Sequence, residues 1–332
     1  MNRLIYVLHG DCPRAQQELS FSVLSALKQG VEDVQMELWS DTQNQRPDLP
    51  LTPHPLPAAG ADLRRVLAEA LSEARGPVCL IATDTVFLAQ PAELFARMAS
   101  GAPLVLRRDG WLAGRTDWAA ALDAAAGTEA EAQLHPGVEL LNLGVIGLRD
   151  ANIACISSTR SPFDLSKFGL NFTQIEQFEL STALSLATPE IATASDLIRR
   201  YDNHMRHVYH GRFAAMFPPN APVNTALADK LPEITEPPKP LRLKLKAKAY
   251  ALRRGMGRRS ESAYLAYLCA FAAPRPEGRR VWANIALDQV ETSARPRKDW
   301  ENDLPRLAPA ALDSADLSPE TTARWRRYWS ER

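Results

Sequence analysis

The sequence predicts an α/β protein in which short buried strands alternate with helices. Apolar runs at residues 4–8 and 78–81 are each followed by turn residues and then by a helical pattern that begins near Pro13 or Pro91. Short apolar runs of this kind predict strands buried on both faces, as in parallel sheets. The single acid Asp84 follows the second run, at the carboxyl end of a predicted central strand, where open α/β sheets bind their ligands.

The other elements of the first two thirds follow in order. A helix from Pro13 is predicted to end at Gly30, because proline suits a first turn and glycine a helix end. Residues 44–60 contain five prolines and no period, which predicts a long loop that could cover an active site. The remaining predicted elements are strands at 34–39, 103–106 and 138–149 and an amphipathic helix at 63–71.

Composition sets broad limits on the class of protein. The chain has 332 residues, 45% of them hydrophobic and 23% charged, and its net charge is zero. These values are ordinary for a globular protein and give no overall bias toward nucleic acid or membranes. The first apolar run is too short for a signal peptide, and no run approaches the roughly 20 residues of a membrane span. Four scattered cysteines predict reduced thiols and a cytoplasmic location.

The stretch around Asp84 resembles a known motif. Asp84 is followed by Thr85-Val86-Phe87 and by Pro91, and this order resembles the acidic strand-end motif, Asp-x-Asp, of nucleotide-sugar glycosyltransferases with the GT-A fold. Ala82 stands where that family has its first acid. The resemblance implies a GT-A-like Rossmann-type mixed sheet flanked by helices. It also implies that His9 and Gly10, after the first strand, lie at the nucleotide base.

A second stretch, residues 138–149, resembles the family's Asn-x-Gly-Val segment. The resemblance implies that Asn142 and Gly144 line the donor sugar. From the residues alone, Gly144 and Gly147 within a strand indicate a bulge or the close approach of a ligand or another backbone. A core strand that merely tolerates glycine is the alternative.

A third stretch places an acid before a glutamine at a helix start. In related transferases such a pair lies on the acceptor side, and the resemblance implies that Glu176 and Gln177 face the sugar or the acceptor. The alternative explanation is local, because Thr173 and Glu176 have the spacing of a capping box with Thr173 at the N-cap.

The family's metal-binding His-Tyr pair has a partial counterpart, since Arg200 precedes Tyr201 here. His207 and His210 follow at a spacing of three, which allows a helical metal pair, although solvated histidines are the alternative. The resemblance implies that Asp84 holds either a divalent cation, Mn²⁺ or Mg²⁺, or a ribose hydroxyl. With Ala82 and Arg200 in place, either His207 or His210 replaces a missing ligand, or Arg200 supplies the positive charge directly.

The resemblance therefore predicts a glycosyltransferase of the hexosyltransferase type that takes a nucleotide-diphosphate sugar. The acceptor is expected to be a saccharide, a lipid-linked saccharide or another group. A non-catalytic nucleotide-sugar-binding or scaffold protein of the same fold is the alternative, which the loss of an acid at Ala82 favours slightly. A nucleotidyltransferase would need a glycine-rich basic loop after the first strand, and residues 9–12 do not have one.

The character of the chain changes near residue 231. We predict a catalytic domain over 1–230 and, over 231–332, a proline-rich linker, a basic segment and a mainly helical extension. Residues 241–259 contain eight cations, several leucines and no acid, which predicts contact with an anionic membrane surface, so that the protein would be peripheral at the inner membrane. A solvated basic helix is the alternative, and nucleic acid is not expected. The tail from Arg295 is expected to be loosely packed.

Overall fold

The structure is a computed structural model that describes residues 1–41, 46–57, 62–73, 76–152, 156, 164–188, 190–217, 222–293 and 295–330. The chain divides into two compact units. The first contains residues 1–200 and 220–231, and the second contains 201–219 and 232–332. The sequence predicts one boundary, at residue 230. Residues 201–219 belong to the second unit because their helix packs there, with Gly211 against Val281.

A seven-stranded mixed sheet forms the centre of the first unit, with the strand order β3-β2-β1-β4-β7-β6-β8. The four strands β1 to β4 run parallel, whereas β7 is antiparallel to both β4 and β6. The predicted α/β class with a mixed sheet is therefore confirmed. The strands of this sheet are β1 (Asn2–Leu8), β2 (Val34–Ser40), β3 (Thr52–Pro55), β4 (Val78–Ile81), β6 (Leu104–Trp111), β7 (Glu139–Leu148) and β8 (Ala192–Thr193).

The central strands are mostly apolar because both faces of the sheet are covered. All four residues of β4 are buried, and so are Leu4, Ile5 and Tyr6 of β1. The helices of this unit are α1 (Pro13–Gln29), α2 (Leu63–Glu73), α3 (Ala92–Arg97), α4 (Ala119–Ala125) and α5 (Phe172–Ala187). Pro13 opens α1 and Gly30 ends it with φ of 92°, as the sequence predicts.

Two local predictions are wrong. The stretch 44–60 contains β3, which pairs with β2, so it is not a loop throughout; residues 44, 45 and 58–60 lie outside the described part. The N-cap of α5 is Asn171 rather than Thr173. The Asn171 side chain accepts the Gln174 N–H, and the Gln174 side chain accepts the Asn171 N–H. The capping box therefore lies two residues earlier and leaves Glu176 free for another contact.

A separate two-stranded ribbon was not predicted. It pairs β5 (Thr85–Phe87) with β9 (Ile198–Arg200) in antiparallel register, so that Thr85 lies opposite Arg200. The ribbon directly follows the end of β4. It therefore brings a segment near residue 200 to the strand end that carries Asp84.

The second unit is helical in its described part. Its helices are α6 (Met205–Met216), α7 (Leu241–Arg254), α8 (Arg258–Ala272), α9 (Pro276–Glu291), α10 (Arg297–Asp303) and α11 (Pro319–Ser330). The basic segment forms α7 and the start of α8. The tail is not loosely packed, because Trp300 and Trp325 are fully buried. Among the described residues, no helix is both long and apolar enough to cross a membrane.

Position 147 of β7 has no space for a side chain and therefore requires glycine. A Cβ atom at this position would collide with Met98 Sδ and lie 2.9 Å from Leu104 Cβ. We expect Gly147→Ala to lower the free energy of unfolding by about 1–3 kcal/mol, the usual cost of overpacking a core. Urea denaturation measures the change. Gly114→Ala is the control, since no atom lies within 4 Å of its added Cβ. An equal cost for both variants would contradict close packing at Gly147.

Candidate functional site

Polar residues meet at the edge of the sheet where β1, β2 and β4 end. His9 and Gly10 follow β1 and are exposed. The Gly10 N–H donates to Asp41 Oδ1 over 2.7 Å, which joins the loops after β1 and β2. Gly10 has φ of 63°, a conformation that glycine adopts without strain. This is the edge at which α/β sheets bind ligands, and the sequence predicts His9 and Gly10 there.

Asp84 lies at this edge and forms an ion pair with Arg200. Arg200 Nε donates to Asp84 Oδ1 at 2.9 Å and to Oδ2 at 3.1 Å. Asp84 is 4% exposed, so its charge needs a nearby partner, which the guanidinium supplies. The Arg200 side chain is 25% exposed and therefore remains within reach of a ligand. The β5–β9 ribbon sets this contact, because Arg200 pairs with the residue after Asp84.

Arg200 also reaches the start of β7, where the predicted Asn142 and Gly144 lie. Arg200 Nη1 donates to Asn142 Oδ1 at 3.4 Å, and the Gly144 N–H donates to the same oxygen at 3.0 Å. A Cβ atom on Gly144 would lie 2.8 Å from Arg200 Cδ. The missing side chain thus makes room for the arginine. The sequence predicts the close approach of a ligand or another backbone at Gly144, and the group that approaches is the Arg200 side chain.

Asp109 extends this network and was missed by the sequence analysis. Asn142 Nδ2 donates to Asp109 Oδ2 at 3.0 Å, and Gln177 Nε2 donates to the same oxygen at 3.2 Å. Arg107 Nε donates to Asp109 Oδ1 at 2.9 Å. Irregular pairing between β6 and β7, on either side of Arg107 and Arg108, accompanies this geometry. The charged residues 107–109 before Gly110 were a sequence signal, but nothing in the sequence indicated how β6 pairs with β7 at this point.

Gln177 is held at the site by the backbone of β7. Its Nε2 also donates to the Leu141 carbonyl at 2.9 Å, and Ser181 Oγ accepts the Leu141 N–H at 2.9 Å. One turn of α5 therefore satisfies both backbone groups of Leu141. This places Gln177 beside Asp109, whereas its sequence neighbour Glu176 points elsewhere on the helix.

Glu176 caps α2. Its Oε1 accepts the Leu63 N–H at 2.6 Å, and the side chain is buried. Burial raises the pKa of the Glu176 carboxyl to about 7, although the Leu63 N–H acts in the opposite direction. A carboxyl near pKa 7 suits proton transfer, yet its described contact is structural. A role on the acceptor side stays a prediction.

Helix α1 supports the loop that carries Asp84. Ser25 Oγ accepts the Phe87 N–H at 3.0 Å, and the Ser22 and Thr85 hydroxyl oxygens lie 2.9 Å apart. Thr83 Oγ1 donates to Glu18 Oε2 at 3.3 Å. Glu18, Ser22 and Ser25 recur at helical spacing on the buried face of α1. This buried polar stripe is a sequence signal that could have indicated a supporting role.

The predicted histidine ligands lie in the helical unit. His207 Nε2 lies 2.5 Å from Asp288 Oδ2, and the His210 ring packs near Phe213, with 5.8 Å between ring centroids. Among the described residues, no group of three or more His, Cys, Asp or Glu side chains has an arrangement that could hold a metal.

A divalent ion at Asp84 would need several oxygen ligands, and both oxygens of this carboxylate already accept from Arg200. The described surroundings of Asp84 therefore do not fit Mn²⁺ or Mg²⁺ as they stand. Metal dependence stays a prediction.

Comparison with known proteins places glycosyltransferases among the similar structures. No protein-family model and no curated protein matches this chain. The apo structure of the bifunctional glycosyltransferase WbbM is 9% identical, with a TM-score of 0.36, over 57% of this chain and 38% of that one. Mouse xyloside xylosyltransferase 1, in its apo form, is 13% identical, with a TM-score of 0.36, over 58% of this chain and 85% of that one.

The chain thus spans less than two fifths of WbbM. At these TM-scores neither likeness identifies an activity, so the function proposed below depends on this chain's own residues.

The buried carboxyl of Glu176 gives a pH test. Because its pKa rises from 4.5 to about 7 on folding, the folded state binds the proton more tightly than the unfolded state. The contribution of Glu176 to stability is therefore fully present below pH 4.5 and is lost as pH rises through 7. We expect this loss, on the order of 3 kcal/mol, to disappear in Glu176→Gln, which keeps an acceptor for Leu63.

Urea denaturation of both proteins at about pH 4.5 and about pH 7.5 measures the difference between their profiles. Glu69→Gln, at an exposed position of α2, is the matched control and should follow the wild-type profile. Parallel profiles for wild type and Glu176→Gln would show that Glu176 titrates normally.

Proposed function

We propose that the protein is a glycosyltransferase that moves a sugar from a nucleotide-diphosphate donor to an acceptor hydroxyl. The observation that carries the proposal is the continuous polar network at the carboxyl edge of the sheet. It runs from Asp84 through Arg200 and Asn142 to Asp109 and Gln177. This network combines a cation, carboxylates and amides where an α/β sheet binds ligands, and the motifs of residues 84, 142 and 177 support the same class.

In this reaction the bond between the anomeric carbon and the diphosphate oxygen breaks, and its electron pair leaves with the diphosphate. The acceptor oxygen forms the new bond, and its proton passes to the departing diphosphate or to water. Arg200 is suited to neutralise the leaving diphosphate, because it is partly exposed and guanidinium groups bind phosphate oxygens in bidentate fashion. Asp84 would fix its orientation, so that the charge is preorganised before the bond breaks.

The sugar would lie between Asn142, Gly144, Asp109 and Gln177. Carboxylate oxygens accept hydrogen bonds from sugar hydroxyls, and amide groups both donate and accept. The nucleotide base would lie near His9 and Gly10, at the end of β1. We assign Glu176 first to the support of α2, and a role as the base that receives the acceptor proton remains the alternative for that residue.

A non-catalytic nucleotide-sugar-binding protein is the second candidate. It is favoured by Ala82 and by the engagement of both Asp84 oxygens with Arg200. Such a protein would bind the same donors but would neither hydrolyse nor transfer the sugar. Product formation with a panel of nucleotide sugars and glycoside acceptors, with and without Mn²⁺, distinguishes the two.

The Asp84–Arg200 pair provides the test of donor binding. Nucleotide-diphosphate sugars should raise the melting temperature of the wild type by mass action. In Arg200→Lys, which keeps the charge and loses the fork, we expect kcat/KM to fall by about 10²-fold or more. Arg97→Lys is the matched control, because Arg97 also pairs with both oxygens of a carboxylate, that of the exposed Asp196. Unchanged donor binding and turnover in Arg200→Lys would refute the assignment.

The same assay with EDTA separates the arginine from a metal. If Arg200 supplies the positive charge, donor-induced stabilisation should persist under chelation. If EDTA abolishes the stabilisation and His207→Ala does the same, the donor depends on a metal site and the proposed role of Arg200 fails.

We further propose that α7 contacts an anionic membrane surface, which would bring a lipid-linked acceptor to the enzyme. Leu241, Leu245 and Leu252 are 61–76% exposed, and their spacing of four and seven residues places them on one helix face. Exposed cations flank this stripe, and the helix packs through Ala247 and Ala251 instead. Cations beside apolar side chains are typical of helices that lie in a membrane interface.

Co-sedimentation with vesicles tests this contact. Binding to anionic vesicles should fall when Lys244, Lys246 and Lys248 are changed together to Glu, because each cation near the surface contributes about 1 kcal/mol. It should also weaken as salt shortens the Debye length from about 10 Å at 0.1 M to about 3 Å at 1 M.

The matched control changes three exposed cations elsewhere in the same unit to Glu, namely Arg280, Lys298 and Arg327. If both triple variants lose binding equally, or if neutral vesicles bind as well, the face of α7 has no special role.

A further inference from the structure

A cavity lies beside the β6–β7 pair in the first unit. Its volume is about 280 Å³, and β6, β7, the segment 132–138 and the C-terminal half of α5 line it. None of the lining residues belongs to the Asp84–Gln177 network. The volume is near the lower end of the roughly 300–1,000 Å³ range of small-molecule sites, so the cavity suits a ligand of one or two rings.

Trp111 gives this cavity a flat apolar wall. It is the last residue of β6, lies opposite Glu139 of β7, and is 56% exposed. A large aromatic ring at a strand end is an unusual group to leave in water, since its burial is strongly favourable. The electron-rich face of an indole attracts the weakly positive C–H groups of a ligand ring.

The polar groups around Trp111 carry no net charge. Arg108 and Glu139 form an ion pair across β6 and β7, so the charges of these two side chains offset each other. His135 Nδ1 accepts the Gly137 N–H at 3.1 Å, which leaves the ring proton of the neutral imidazole on Nε2 as a donor. An ion pair and an imidazole donor thus lie in the same cavity lining as the apolar wall. A neutral ligand rich in hydroxyl groups matches this combination better than a phosphate or a cation does.

Thr182 adds an unsatisfied group to the cavity wall. The residue is 6% exposed, and its Oγ1 has no hydrogen-bond partner among the described residues. A buried hydroxyl without a partner costs about 1–3 kcal/mol. A small adjustment that brought a ligand hydroxyl to Thr182 would recover this energy on binding.

We propose that this cavity binds a neutral saccharide of one or two residues, with one sugar ring stacked on Trp111. This saccharide is the acceptor, an assignment that rests on the proposed glycosyltransferase function. The two strands connect the cavity to the candidate site. Strand β7 carries both Glu139 and Asn142, and β6 carries Trp111 and Asp109 two residues apart. An acceptor held here would extend along these strands toward the donor.

Saturation-transfer NMR with methyl glycosides of glucose, galactose, mannose, N-acetylglucosamine and rhamnose, and with their disaccharides, tests the proposal. At least one probe should receive saturation from the wild type, and Trp111→Ala should weaken its binding at least tenfold. Trp111→Phe, which keeps an aromatic wall, should bind with intermediate affinity. Phe172→Ala is the matched control, because it removes an exposed aromatic ring of the same unit outside the cavity.

Thr182→Val gives a readout that a purely structural role would not produce. Saccharide binding should weaken severalfold, while the melting temperature should stay level or rise, because an unpaired buried hydroxyl has been replaced by a methyl group. A drop in melting temperature without a loss of binding would remove Thr182 from the site.

Donor binding keeps the two proposals separate. Trp111→Ala should leave nucleotide-sugar stabilisation unchanged and raise KM for the acceptor. Saccharide binding without any donor binding would refute the glycosyltransferase and leave the saccharide site. No saturation of any probe, or equal saturation of wild type and Trp111→Ala, would overturn the site itself.

Discussion

The buried Asp84–Arg200 pair is the contact on which the site depends. A carboxylate removed from water is costly unless a cation and hydrogen bonds replace its hydration. Arg200 meets that need with an Nε–H shared between both Asp84 oxygens, from a strand 116 residues further along the chain. The β5–β9 ribbon and the Asp84–Arg200 pair stabilise each other. The ribbon places Arg200 opposite Thr85, next to Asp84, and the ion pair holds the two strands in that register. Gly144 completes the arrangement by leaving space for the arginine stem.

Much of the first unit could be predicted because its central strands are continuous apolar runs. Such runs have few alternatives when both faces of a sheet are covered, as β1 and β4 illustrate. Short elements were harder. Strand β9 has three residues, one buried, and becomes a strand only because β5 lies beside it. Pairing partners that distant in sequence leave no local pattern.

The candidate site shows the same division. Asp84, Asn142, Gln177 and Arg200 were found from motifs, and the structure joins them in one network, but Asp109 depends on irregular pairing that no period reveals. Glu176 was ambiguous for another reason. The start of α5 allows two capping boxes, Asn171 with Gln174 and Thr173 with Glu176. The first of them forms, and Glu176 instead accepts the N–H at the start of α2.

The prolines of β3 have a consequence for how the sheet ends. β3 is the outermost strand on its side of the described sheet, and the Leu56 N–H donates inward to Ser40 of β2. The backbone N–H groups of successive strand residues point alternately to the two neighbouring strand positions. Since the Leu56 N–H points inward, N–H groups at positions 53 and 55 would point away from the sheet, and both positions are proline. Proline has no N–H, so this border offers few donors to another strand. The prolines thereby disfavour edge-to-edge pairing of this sheet with the sheet of another molecule, which is a first step toward fibres.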